Sequence, residues 1–168
     1  QKFAGQMLHL ARPHGLSRPI VMDATVDQID GYRFVYCLPF SETEVFVEDT
    51  YYADGPELDV PALHQRIAGY AAAQGWQIES ISRAETGVLP VIAAGDIDAF
   101  WAEGEQGIAR AGTRAALVHP LTGYSLPEAV RFALHIGRLK DISGAGLARA
   151  SQRWARAHWR RGGYYRML

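Results

Sequence analysis

The chain has 168 residues, of which 48% are hydrophobic and 21% are charged, and this is enough to form an ordinary globular core. Its formal net charge of -1 and the lack of any basic cluster alternating with aromatic residues argue against a nucleic-acid partner. The single cysteine, Cys37, excludes an intrachain disulfide; no residues have the spacing of a metal site, and no apolar run reaches the roughly 18 residues of a membrane span.

Three β-rich runs lie between Pro19 and Tyr52, and short polar segments separate them. The runs are PIVMDATV, YRFVYCLPF and EVFVEDTYY, and the separating segments are DQIDG and SETE. Because strands joined by such short segments usually pair with their sequence neighbours, the pattern predicts an antiparallel meander.

The third run contains two adjacent acids, Glu48 and Asp49, although acidic residues are depleted in strands. Alternation along a strand places Glu48 on one face with Phe46, Thr50 and Tyr52, and Asp49 on the other face. In one interpretation, Glu48 points to solvent and Asp49 pairs with an arginine. In the other, aromatic neighbours desolvate Glu48, raise its pKa and make it a general acid that can protonate an alkene beside rings that stabilise a cation.

A helix is predicted after Asp59, where the run VPALHQRIAGYAAAQG has a proline in its first turn, apolar residues on one face and Gly75 as a stop signal. Residues 76–92 follow and have an extended pattern, which Gly87 and Pro90 interrupt.

The sequence pattern in the last third of the chain predicts one strand and two helices. The run RAALVHP is short and apolar, as in a buried strand. Ser125 and Glu128 have the S-x-x-E spacing of a capping box and predict that a helix begins there. A further helix is predicted over residues 142–161.

The segment HPLTGYSL, residues 119–126, combines a tight glycine-containing loop with the beginning of a helix. Backbone N–H groups and the positive end of a helix dipole can bind a phosphate or an anionic ring system at such a position. An ordinary strand-to-helix turn has the same pattern, so these residues alone leave both interpretations open.

Taken together, these motifs resemble those of bacterial lycopene β-cyclases, which are flavoproteins of carotenoid synthesis. The similar segments are RPHGLSRPIVMDATVDQIDGYRFVY, FVEDTYY, ETGVLPV, Asp96 followed by Phe100 and Trp101, and AGTRAALVHPLTGYSLPEAV. The acidic strand F-L-E-E-T of the plant relatives is matched at residues 46–50, where Asp49 replaces the second Glu.

The resemblance implies a redox-neutral, acid-catalysed cyclisation of the linear ends of lycopene to β-rings, which is an isomerisation. Glu48 would be the acid, and Asp49 would orient it or accept the final proton. The implied catalytic residues are Glu48, Asp49 and Glu85, and the implied substrate-binding residues are Phe46, Tyr52 and Trp101. Core packing explains Trp101 equally well.

The resemblance also implies FAD in its reduced form, with NADPH as the reductant. In the related flavoprotein hydroxylases a P-x-x-G loop before a helix touches the flavin. The matching residues are Pro120, Leu121, Thr122, Gly123, Tyr124 and Ser125. The family's G-x-G-x-x-G unit does not occur in this sequence, which begins at Gln1, so we expect a fragment that does not retain FAD and is inactive alone.

The implied fold is α+β, with an antiparallel or mixed sheet and helices on one side, as in the substrate-binding part of flavoprotein hydroxylases. Residues 1–110 would form the substrate-binding sheet with one helix. Residues 111–168 would return into the FAD domain through a strand, the flavin-contacting loop and C-terminal helices, and the whole would be one compact fragment.

Lycopene is a hydrocarbon held in lipid, so the resemblance implies a cytoplasmic enzyme that is peripheral at the inner membrane, with other carotenoid enzymes as possible partners. The basic C-terminal run ARASQRWARAHWRRGGYYRML carries two tryptophans, as an interfacial helix would. A solvated helix whose tryptophans pack on the protein has the same composition.

Two other classes of function remain alternatives. A flavin-dependent oxidoreductase, similar to geranylgeranyl reductases or to hydroxylases, would use the same loop but would need no acid in the strand. A non-catalytic binding module would need neither feature.

Overall fold

The computed structural model describes residues 1–29, 31–89, 91–105 and 107–167. Over these residues the architecture is α+β, as predicted, with a five-stranded antiparallel sheet and four α-helices. The chain divides into two compact units, residues 1–89 and residues 90–168. This division falls before the predicted boundary at residue 110, and the roles assigned to the two parts stay predictions.

The first unit contains the sheet. Its strands are β1 (Lys2–Leu10), β2 (Ile20–Asp23), β3 (Arg33–Pro39), β4 (Glu44–Tyr51) and β5 (Ile78–Val88), in the spatial order β2-β3-β4-β1-β5. The predicted meander is confirmed as β2-β3-β4, and the extended segment after residue 76 is confirmed as β5. The interruption expected at Gly87 is wrong, because β5 continues through Gly87, which pairs with Phe3 of β1. Pro90, expected to interrupt that segment, lies outside the described residues.

Strand β1 was not predicted from the sequence, although it pairs with both β4 and β5. Gly5 and Gln6 in its middle interrupt the apolar alternation that identifies a strand. Its position therefore depends on its two neighbours rather than on its own pattern.

One face of the sheet is covered by α1 (Val60–Ala73), which begins and ends as predicted. Asp59 Oδ1 accepts a hydrogen bond from the Ala62 N–H at 3.0 Å, and Gly75 follows the helix with a positive φ of 75°. The side chains that α1 buries are those of Leu63, Ile67, Tyr70 and Ala71. They pack with a sheet face that includes Ala4, Leu8, Val35, Val45 and Val47.

The second unit is helical. It contains α2 (Ile97–Ala102), a 3₁₀ turn (Gly112–Ala115), α3 (Leu126–Ile136), α4 (Gly144–Arg161) and a 3₁₀ turn (Tyr164–Arg166). Its core cluster of buried residues contains Trp101, Ala115, Leu117, Phe132 and Ala155, and Val118 and Ala150 are buried as well. Helix α4 confirms the predicted C-terminal helix, and none of the described helices is long and apolar enough to cross a membrane.

The strand predicted for RAALVHP is wrong. Residues 112–115 form the 3₁₀ turn, and the N–H groups of Ala116 and Leu117 donate to the carbonyls of Thr113 and Gly112. A strand needs a neighbouring strand to complete its hydrogen bonds, and the described part of the second unit has none. The apolar side chains of this run enter the helical core instead.

The predicted capping box is also wrong, although α3 does begin after Ser125. The Ser125 side chain makes no capping hydrogen bond, and Glu128 turns into the protein. Glu128 is 5% exposed and accepts hydrogen bonds from Trp154 Nε1 at 2.7 Å and Arg161 Nη2 at 3.1 Å. This buried carboxylate therefore joins α3 to α4.

Candidate active site

Glu48 lies on the sheet face that points away from α1. Its neighbours two residues away along β4, Phe46 and Thr50, share that face, as the alternation predicts, while Val47 and Asp49 belong to the face that α1 covers. Thr50 Oγ1 donates a hydrogen bond to Glu48 Oε1 at 2.7 Å. We call this surface the acid face and define it by Gly5, Phe34, Tyr36, Phe46, Glu48, Thr50 and Glu85.

Aromatic rings form a continuous row beside Glu48. The ring of Phe34 lies 5.4 Å from Tyr36 and 5.4 Å from Tyr32, and Tyr32 lies 6.3 Å from Tyr52. Tyr36 is the cross-strand partner of Glu48, and Phe34 is 1% exposed. The predicted aromatic wall is therefore present, and Tyr52 joins it from just beyond the end of β4.

The environment of Glu48 favours the protonated carboxyl group. Burial raises its pKa above the ordinary value, the hydrogen bond from Thr50 opposes that shift, and the nearby charge of Glu85 adds to it. A carboxyl that keeps its proton at higher pH than usual is suited to act as a general acid.

Glu85 reaches the same face from β5. The register places Gly5 of β1 directly between Glu48 and Glu85, because Gly5 is paired with both. Arg83 Nη2 lies 2.6 Å from Glu85 Oε2 in an ion pair. The structure thus brings together two of the three predicted catalytic residues.

Asp49 lies on the opposite face, fully buried under α1. Arg33 Nε donates to both of its carboxylate oxygens, at 3.0 and 3.1 Å, and Arg33 Nη1 donates to the Asp27 carbonyl at 2.9 Å. The pairing with an arginine was one of the two interpretations of the sequence. This position fits the orienting role predicted for Asp49 better than the proton-accepting one.

The predicted flavin loop lies in the second unit. Its turn is closed by hydrogen bonds from the His119 N–H to the Tyr124 carbonyl at 2.8 Å and from the Gly123 N–H to the His119 carbonyl at 2.9 Å. Gly123 has a φ of 70°, which favours glycine. Since Ser125 does not cap α3, its side chain does not occupy the first-turn N–H groups, which suits an anionic ligand.

Trp101 belongs to the core of the second unit, where it is 5% exposed. The guanidinium of Arg110 lies 4.7 Å from its ring centroid. This placement agrees with the core-packing interpretation, so substrate contact by Trp101 stays a prediction without structural support.

The sequence interpretation missed Gly5 as part of the site. A glycine in the interior of a strand often marks a place where another group approaches the backbone closely, and that signal was available. It could not be used because β1 itself was not predicted.

The whole chain, residues 1–168, matches the family model described as lycopene cyclase protein. The chain belongs to the lycopene cyclase family. It is 48% identical over 168 residues to a lycopene beta-cyclase of Pantoea ananas and to one of Pseudescherichia vulneris, and 44% identical over 169 residues to one of Paracoccus sp.. Those matches cover 100% of this chain but only 43–44% of the relatives. No solved structure matches the chain.

Proposed function

We propose that these residues supply the acid and the substrate-binding face of a lycopene β-cyclase, in which Glu48 protonates the linear end of lycopene. The observation that carries the proposal is the position of Glu48, half-buried beside a row of aromatic rings with its pKa raised by burial. Because the chain spans less than half the length of its bacterial relatives, the activity we propose is that of the whole cyclase.

The proposed reaction begins with the carboxyl proton of Glu48. The proton and the π electron pair of the terminal alkene form a new C–H bond, which leaves a tertiary cation. The π pair of a neighbouring double bond then attacks the cation and closes the ring. Loss of a ring proton to a carboxylate restores a double bond, so the product is an isomer and no net electrons are exchanged.

Reduced FAD, with NADPH as reductant, would supply an anionic ring system that stabilises this cation electrostatically. The residues that would hold it are those of the loop at 120–125 and the first turn of α3. The tight turn at Gly123 directly before α3, whose beginning the Ser125 side chain does not cap, supports this assignment. NADPH would only keep the cofactor reduced.

We further propose that the enzyme is cytoplasmic and associates with the inner membrane, since its substrate is a hydrocarbon dissolved in lipid. The exposed arginines of α4 support an electrostatic contact with anionic lipid. The tryptophans of α4 make contacts within the unit, because Trp154 donates to Glu128 and the Trp159 ring centroid lies 3.8 Å from the Arg166 guanidinium. The contact would therefore depend on charge rather than on inserted aromatic rings.

The test uses the whole cyclase supplied with lycopene, FAD and NADPH, with pigments separated by chromatography and NADPH followed by its absorbance. We expect β-ring product in large excess over the NADPH consumed. One NADPH consumed per product molecule would instead identify a flavin oxidoreductase, and the absence of any product would favour a binding module.

Replacing Glu48 with Gln tests the acid directly. The amide keeps the shape of the side chain but cannot donate a carboxyl proton, so we expect kcat to fall by about 100- to 10,000-fold. The matched control is Glu44→Gln, which removes a carboxyl from the same strand; its Oε1 lies 3.3 Å from His9 Nδ1. If the two variants convert lycopene equally fast, Glu48 is not the acid.

A further inference from the structure

Two glycines lie in the interior of strands without needing a glycine conformation. Gly5 in β1 and Gly87 in β5 are absent from the residues with positive φ. At each one a Cβ atom would overlap an aromatic ring, that of Phe46 at Gly5 and that of Phe3 at Gly87. The missing side chains therefore make room for rings that lie against the backbone.

The ring of Phe46, which lies over Gly5, is located between the two acids of this face. Gly5 is paired with Glu48 on one side and with Glu85 on the other, so the tip of Phe46 covers the backbone between the two acids. Neighbouring strands are about 4.8 Å apart, which puts the Cα atoms of Glu48 and Glu85 roughly 10 Å from each other. That gap is filled by an aromatic ring rather than by a side chain of β1.

The two acids are not equivalent. Glu48 accepts a hydrogen bond from Thr50, whereas Glu85 is ion-paired with Arg83. On the acid face, the proton donor Glu48, the ring of Phe46 and the ion-paired carboxylate of Glu85 therefore lie in a row. A ring attracts a positive charge. The negative charge of Glu85 also acts on this face despite its ion pair with Arg83, since it contributes to the raised pKa of Glu48.

We infer that Phe46, lying on Gly5 with Glu85 beyond it, receives the cation that protonation by Glu48 creates, and that Gly5 is the positioning residue for that ring. This inference rests on the proposed cyclisation. Glu85 lowers the energy of the cation by its charge, and Phe46 contacts the cation through its π electrons.

The decisive experiment compares Gly5→Ala with Gly87→Ala in the whole cyclase. Both variants push a Cβ against a phenylalanine ring, but only Gly5 lies between the two acids. We expect Gly5→Ala to lower kcat by at least about tenfold with little change in KM, and Gly87→Ala to stay within about twofold. Equal effects of the two substitutions on kcat would overturn the inference.

If Gly5→Ala does not fold, the variants Phe46→Leu and Glu85→Gln test the inference instead. Phe46→Leu removes the ring, and we expect kcat to fall by at least about tenfold while thermal unfolding shows a folded protein. A Phe46→Leu enzyme within about twofold of the unsubstituted cyclase would exclude a role for the ring.

Glu85→Gln has a readout that packing alone would not change. Besides Glu48, the acid face carries ionisable side chains from every strand around it: Tyr32, Tyr36, Glu44, Tyr52, His9, Arg83 and Glu85. Removing the charge of Glu85 lowers the pKa of Glu48, so the decline of kcat at high pH should move to lower pH. An unchanged pH profile together with unchanged kcat would remove Glu85 from the inference.

These outcomes separate the inference from the proposed function. If the unsubstituted cyclase forms no β-ring product, the proposed function fails. If it forms product and the Gly5, Phe46 and Glu85 variants match their controls, only the inference fails.

Discussion

At the scale of single residues, the chemistry of Glu48 depends on what surrounds its carboxyl group. Burial disfavours the charged form and raises the pKa, while the Thr50 hydroxyl donates to the carboxylate and lowers it. Burial and the Thr50 hydrogen bond therefore shift the pKa of Glu48 in opposite directions. Its proton-donating form is lost as the pH rises through the raised pKa.

Thr50→Val tests this balance, because valine has the shape of threonine without the hydroxyl. The lost hydrogen bond stabilised the charged form, so its removal raises the pKa of Glu48 further. We expect the decline of kcat at high pH to move to higher pH. Thr86→Val, on β5, is the control, since its cross-strand partner is Ala4 on the other face. A shift to lower pH in Thr50→Val would refute this account.

At the scale of secondary-structure elements, a buried ion pair holds β3 and β4 in register. Asp49 and Arg33 are 0% and 7% exposed at their side chains, on the face that α1 covers. Because both side chains are buried, each charge is compensated mainly by the other rather than by water. The pair thereby fixes the position of β4. Glu48, also on β4, points to the opposite face of the sheet.

Replacing Asp49 with Ala leaves the Arg33 guanidinium buried without its partner. We expect a loss of about 3–5 kcal/mol in the free energy of unfolding, measured in urea. Glu44→Ala removes the half-exposed partner of His9 and should cost at most about 1 kcal/mol. A cost for Asp49→Ala as small as that of the control would show that the pair contributes little.

The helix beginnings of the second unit differ in a way that stability measurements can detect. Ser143 Oγ accepts a hydrogen bond from the Gly146 N–H at 3.1 Å and caps α4, whereas Ser125 makes no capping bond to α3. We expect Ser143→Ala to cost about 1 kcal/mol and Ser125→Ala to cost less than about 0.5 kcal/mol. Thermal or urea unfolding of both variants checks this. A larger loss in the free energy of unfolding for Ser125→Ala would show that Ser125 does cap α3.

At the scale of the whole molecule, charge on α4 is the feature that would bring the protein to a lipid surface. Arg153 and Arg160 are both exposed. We expect the protein to co-float with vesicles containing phosphatidylglycerol but not with pure phosphatidylcholine vesicles. Added salt should weaken this binding, because exposed charges are screened.

Charge reversal locates that contact. Arg153→Glu with Arg160→Glu should reduce binding to the anionic vesicles by at least about tenfold, at roughly 1 kcal/mol for each arginine lost. Arg12→Glu, an exposed arginine of the first unit, should have a smaller effect. Binding that is insensitive to salt and to both substitutions would place the membrane contact elsewhere.

The local features of this chain were predictable because they depend on near neighbours. Alternation along β4 alone put Glu48 and Asp49 on opposite faces, and Asp59 with Gly75 alone bounded α1. The order of motifs along the chain was also sufficient to indicate the family. Each of these conclusions needs only the identity and spacing of residues along the chain.

What only the tertiary structure decided are the partners that are distant in sequence. The sequence could not tell that β1 lies between β4 and β5, so it could not place Gly5 between Glu48 and Glu85. It favoured a capping role for Glu128, but in the folded unit the carboxylate accepts hydrogen bonds from Trp154 and Arg161 instead. The physical reason is the same in both cases: strand pairing and burial are settled by competition among contacts across the fold, which local patterns do not record.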